Sequence, residues 1–152
     1  MTTLLLVPLE DVVVFPNMTV TLPVDTAGED RLLLVPVHEG SYAKVGTVAE
    51  VVERVRLPGG ANAVALSGLH RGIAGAAHTD SEGRLRVEVE ERSDPERIAD
   101  GRIRELEREY RAVVEEILDL RGDDGRIQAF VRSISEPGAL ADTTGYAPDV
   151  SF

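Results

Sequence analysis

The chain has no cysteine and no tryptophan among its 152 residues. Without thiols it holds no disulfide framework and no thiolate metal site. Lysine is nearly missing as well, since Lys44 stands alone among arginines. Basic residues are outnumbered, 16 against 27 acidic, for a net charge of −11. That balance opposes roles that neutralise phosphates with clustered Lys and Arg, so no nucleic-acid partner is expected. Long apolar runs are also lacking. The opening MTTLLLVPLEDVVVF is cut by Pro8, Glu10 and Asp11 and has no basic leader. It is neither a signal peptide nor a membrane span, so a soluble cytoplasmic setting without a membrane partner is expected. Asn17-Met18-Thr19 fits the glycosylation pattern but, with no export signal, is read as a chance match.

The usual carriers of chemistry are missing too. There is no GxxxxGK[ST] loop, and Gly72 to Gly75 (GIAG) lacks the Lys and Ser/Thr of a phosphate cradle. It is better read as a kinked strand passing close to other backbone. Ser41 and Ser67 have no GxSxG elbow, and Lys44 sits in a strand approach. His38, His70 and His78 show no HExxH or i,i+4 spacing and are read as strand-end or turn residues rather than ligands. The acidic groups Glu88-Glu90-Glu91 and Glu115-Glu116 look like solvated faces with nothing to shift their pKa values. No catalytic residue, metal or cofactor is therefore expected.

What remains is architecture. Hydrophobic residues make up 43%, enough for a real core. In PLEDVVVFP, Pro8 and Pro16 bracket β-branched residues and predict a brief strand ending at Phe15. Further strands are expected at LLLVPL, MTVTLPV, RLLLVPV, Val45 to Leu57 and ANAVALSGL. Pro58-Gly59-Gly60 supplies a hairpin between the last two. Arg84 to Glu90 alternates, with Leu85, Val87 and Val89 on one face.

At Ser93 the period changes. Ser93-Asp94-Pro95-Glu96 is a capping-box pattern. Ile103, Leu106, Tyr110, Val113, Ile117 and Leu120 then recur at spacings of three and four along one stripe. The stripe predicts a helix of roughly 27 residues, about 40 Å long, ending at Gly122. Docking on the chain's own short helices is expected for this stripe, with pairing to another subunit as the other option. Two short helices are expected, one from Asp124 to about Ile134 and one from Pro137 to near Gly145. Pro148-Asp149 looks like the approach to a further helix, as if the chain were cut from something longer. The expected division is a β-rich part over 1–92 and a helical part over 93–152. Met18, Tyr42 and the Leu57-Pro58 turn are apolar groups near loops or strand ends, and together they are candidates for a patch that holds unfolded, apolar peptide.

Three segments, in order and spacing, resemble the N-terminal substrate-binding domain of Lon proteases. The first is Pro8, Leu9, Val13, Phe15 and Pro16. The second is Val45, Gly46, Thr47, Ala49, Leu57, Pro58, Gly60, Gly68 and Arg71. The third is Glu136, Pro137, Gly138, Leu140, Ala141 and Asp142. The resemblance implies an α+β fold: a PUA-like β-pseudo-barrel of about six strands, then one long helix and two short ones. It also implies non-catalytic recognition of unfolded or damaged protein substrates, and assembly with other copies of the chain, at the front of an ATP-dependent serine protease. The P-loop and the Ser-Lys dyad of that parent are not in this segment. One departure stands out. Between Leu22-Pro23-Val24 and Arg31 the family has a helix of about a dozen residues, whereas DTAGED leaves room only for a turn. The alternative is a stand-alone Lon-like adaptor or ligand-binding protein.

Overall fold

The computed structural model describes residues 1–95 and 101–146. Seven strands come first: β1 (Thr2–Leu9), β2 (Thr19–Leu22), β3 (Arg31–His38), β4 (Ser41–Tyr42), β5 (Val45–Arg56), β6 (Asn62–Thr79) and β7 (Leu85–Arg92). Three helices follow: α1 (Gly101–Arg121), α2 (Arg126–Ser133) and α3 (Pro137–Asp142), with a 3₁₀ turn at Thr143–Tyr146. The chain divides into two units, one holding Met1–Ser93 and one within Asp94–Ser151.

The runs LLLVPL and LLLVPV are apolar at consecutive positions, a pattern suited to strands buried on both faces. They form β1 and β3, which pair in parallel with Leu5 beside Leu32 and Val7 beside Leu34. β1 also pairs with β7, β7 with β6, β6 with β5, and β5 with β3. The five strands thus close on themselves. Leu4, Leu6, Leu33, Val35, Val48, Val87 and Val89 fill the inside of this ring. On the other face of β1 and β3 a second core collects Leu5, Val7, Leu9, Leu32, Leu34 and Leu66. Val12, Met18, Val20, Leu22 and Val24 roof it.

β6 is 18 residues long because it serves three neighbours, pairing with β2, β5 and β7 in turn. It bends at a register shift between Ala74 and Ala77, as the GIAG segment predicts. The expected hairpin is present, with Gly59 and Gly60 at φ 95 and 86 and Leu57 N–H donating to the Ala61 carbonyl at 2.7 Å. Residues between Val24 and Arg31 turn without forming a helix, and Glu29 N–H donates to the Thr26 carbonyl.

The expected count of about six strands holds, with the two-residue β4 making a seventh. Two expectations are corrected. Val12–Phe15 is not a strand; the first strand is Thr2–Leu9, which runs through Pro8. The VVVF run pairs with none of the seven strands, and its polar groups are met singly. Thr47 Oγ1 donates to the Val14 carbonyl at 2.6 Å, and the Phe15 N–H points at the Met18 sulfur at 3.2 Å. Val14 itself is buried as a plug.

The second correction concerns α1: only the near half of the predicted stripe, Ile103 to Val113, faces a short helix, α3, and none of the helix's residues is fully buried. A neighbouring face meets α2. Arg111 donates to the carbonyls of Val131 (2.9 Å) and Ile134, while Glu115 holds Arg132 and Asp119 holds Gln128. On the stripe itself, the Tyr110 hydroxyl is bonded to Thr143 Oγ1 at 2.8 Å. Helix α2 begins at Arg126 rather than Asp124, because Gly125 takes φ 94 and Asp123 reaches past it to the N–H of Gln128. Glu96, the closing residue of the predicted capping box, lies outside the described residues, as does the approach at Pro148-Asp149.

Candidate functional site

Among the described residues the most perturbed ionisable group is Glu91, and it does structural work. Strand parity places Thr2 (with Leu4 and Leu6), Arg31 (with Leu33 and Val35) and Glu91 (with Val87 and Val89) on the ring's inner face. They meet at one end of the interior. Glu91 accepts hydrogen bonds from Thr2 Oγ1 at 2.9 Å and from Arg31, and it faces His70 Nε2 at 2.7 Å. The His70 bond, then those from Arg31 and Thr2, outweigh desolvation and lower the Glu91 carboxyl to about 2. This polar plug ties four strands together. His70 therefore has a structural partner, while His78 lies eight residues along β6, roughly 25 Å of extended chain away. Among the described residues no group of three or more His, Asp or Glu side chains is arranged to hold a metal ion.

Apolar surface is the more informative feature. Tyr42, on β4 opposite Val37, is 55% exposed. Leu57 is half-buried and Pro58 exposed at the hairpin tip. These two places lie at opposite ends of β5, whose 12 residues span about 40 Å. Met18 is half-buried, packed on the second core, and its carbonyl accepts the Gly68 N–H at 2.8 Å. The four candidates are therefore separate points on the first unit rather than one continuous patch. Gly68 is fixed by the same turn: a Cβ there would lie 2.6 Å from the Phe15 carbonyl oxygen. Beside the hairpin, a groove of about 620 Å³ runs between Val24–Thr26 and Arg54, Asn62 and Val64. Its lining is mixed, and Arg54 is engaged with Thr26 Oγ1 at 2.8 Å.

The second unit carries the apolar groove that sequence reasoning missed. Ile103, Leu106, Tyr110 and Val113 of α1 face Pro137 and Leu140 of α3 across about 720 Å³. Beyond it Ile117 and Leu120 continue the stripe uncovered. The signal was in the sequence, since the 3-4-3-4-3 spacing is there, and the expected docking on a short helix holds for the near half, against α3.

Comparison with known proteins assigns the chain to a family. Residues 3–152 match the profile described as the ATP-dependent protease La (LON) substrate-binding domain. The chain is 36% identical to the Lon protease of Salinispora arenicola over 163 residues, which takes in 100% of this chain and 21% of that protein. It is 36% identical to the Lon protease of Chloroflexus aurantiacus over 172 residues, 99% of this chain and 20% of that one. Among solved structures, the N-terminal domain of Mycobacterium avium complex Lon protease superposes with a TM-score of 0.82 at 28% identity. The match covers 99% of this chain and 85% of that chain. A Lon N-terminal domain protein from Xanthomonas campestris shares the fold at 17% identity and a TM-score of 0.53, over 95% and 97% of the two chains. The chain spans about a fifth of the length of the curated relatives it matches.

Proposed function

The chain belongs to the Lon substrate-binding domain family, and from that premise we propose that it recognises unfolded or damaged protein substrates and supports subunit assembly at the front of a Lon-type ATP-dependent protease. It corresponds to the substrate-binding portion and lacks the protease region, so it acts without catalysing. The observation that carries this reading is the family match across residues 3–152.

The physical mechanism is weak capture. Unfolded protein differs from folded protein chiefly in exposing apolar side chains, and this domain offers apolar points at Tyr42 and at Leu57-Pro58, with Met18 supporting the turn behind β2. Separated weak points suit clients without fixed shape. Presented in several copies, they gain strength because later contacts become intramolecular. The net charge of −11 keeps the domain soluble and repels acidic clients. Cytoplasmic protein is the client pool; nucleic acid and membrane are not partners.

The test is the affinity of a reduced, alkylated model protein for the wild-type chain and for a Tyr42→Asp, Pro58→Asp double variant, by fluorescence anisotropy. Both positions are exposed, so the fold is preserved. Met18 is left intact because its sulfur meets the Phe15 N–H. The variant is expected to bind about tenfold more weakly, roughly 1.4 kcal/mol. Equal affinity, with both proteins folded, refutes the assignment of these residues.

A further inference from the structure

Ile103, Leu106, Tyr110, Val113, Ile117 and Leu120 occupy successive a and d positions of a heptad pattern on α1. Among the described residues nothing covers the far half of this seam, where Ile117 is 41% and Leu120 82% exposed. The near half, Ile103 to Val113, forms with α3 the apolar groove of about 720 Å³. One helix thus carries an open groove and, a turn or two further on, a pair of projecting apolar side chains. A two-fold axis joins such a surface to itself.

We propose that two copies of this chain pair antiparallel through α1, with Ile117 and Leu120 of each copy entering the groove of the other. The inference rests on the assembly role proposed above and gives it a surface. It also fixes a register. Ile103 lies opposite Leu120 of the other copy, Leu106 opposite Ile117, and Tyr110 opposite Val113, each pair occurring twice by symmetry. The flanking positions follow with opposite charges, Arg102 opposite Glu116 and Glu107 opposite Arg121. Val114 meets its own counterpart. Glu109 also meets its own counterpart, the one like-charge contact along these flanks. A parallel pairing matches charges as well, but it sets groove against groove and leaves both unfilled. The shape decides for the antiparallel arrangement.

The contact is small, so the dimer is weak and appears at high concentration. Sedimentation equilibrium of the 152-residue chain, between about 10 µM and about 1 mM, is expected to show the mass rising from 16.4 kDa toward twice that value. Leu120→Glu, at an exposed position, is expected to stay folded by circular dichroism and monomeric throughout. The absence of native cysteine allows a direct check of register. Leu106→Cys and Ile117→Cys variants, mixed and oxidised, are expected to form the mixed disulfide, and neither is expected to link to itself.

A chain monomeric at the highest concentration overturns the proposal, as does a dimer indifferent to Leu120→Glu. Self-linking of Leu106→Cys as readily as linking to Ile117→Cys overturns the register. Binding of the unfolded model protein, measured on Leu120→Glu in parallel, separates this outcome from the client-capture reading, which involves the first unit alone.

Discussion

Replacing Glu91 by Gln keeps the size of the side chain, removes its charge and turns one acceptor oxygen into an N–H donor, which the Thr2 hydroxyl can meet as acceptor. The carboxyl is held near 2 against an ordinary 4.5, first by His70 and then by Arg31 and Thr2. A shift of that size corresponds to an upper bound of about 3.4 kcal/mol, at about 1.36 kcal/mol per pKa unit. The side chain is 27% exposed, so solvent screens part of the interaction. About 1.5–2 kcal/mol is a realistic loss at neutral pH. The sign with pH follows from the direction of the shift. A carboxyl whose folded pKa is depressed contributes fully above the unfolded value and loses that contribution as pH falls through the folded one. The difference between wild type and Glu91→Gln is therefore expected to be flat above about pH 5, to shrink through pH 4 and 3, and to be nearly gone at about pH 2. Urea unfolding followed by far-ultraviolet circular dichroism at several pH values measures it. With a slope of about 1–3 kcal/mol per molar urea, the midpoint at pH 7 is expected to fall by roughly 1 M. A loss that is independent of pH, or one below about 0.5 kcal/mol at pH 7, refutes the claim that Glu91 is an energetically coupled tie between strands.

Two further substitutions probe how the units are held. Gly68→Ala drives a Cβ to 2.6 Å from the Phe15 carbonyl and 3.2 Å from Thr47 Cγ2, against backbone that has no room to give. It is expected to destabilise the chain by about 1–3 kcal/mol in the same urea assay, and an unchanged midpoint counts against this tight turn. Arg111→Lys keeps the charge but loses the fork that reaches two carbonyls at the end of α2. It is expected to cost about 1.5–3 kcal/mol and to speed amide exchange in α2 without affecting the strands; protection unchanged across α2 contradicts that role.

The parts of the fold that announced themselves were those set by local chemistry. Gly59 and Gly60 have φ values that favour glycine, and Pro137 starts a helix where the sequence places one. The parts that did not were decided by distant neighbours. Val12 to Phe15 have every local reason to be a strand, but they pair with none; Val14 is buried instead, and its carbonyl is held by Thr47 Oγ1. The stripe on α1 was visible as a pattern, yet periodicity names a face without naming what meets it. Glu91 was legible in hindsight. Strict alternation puts it on the side of Leu85, Val87 and Val89, so a charge there required partners, even though its neighbours Glu88 and Glu90 made it look solvated. Its partners, at Thr2, Arg31 and His70, lie 89, 60 and 21 residues away, beyond what local pattern reports.

That same separation has a consequence for synthesis. β1 needs β7 at one edge, and the Thr2–Glu91 tie links residues 89 apart. At about 5–20 residues per second, roughly 4–18 s pass between the emergence of the two. For that interval the Leu4–Val7 run has only β3 for company and remains available to chaperones or to aggregation. The residues of β1 are among the last to find their place, and the ring cannot shut until β7 has left the ribosome.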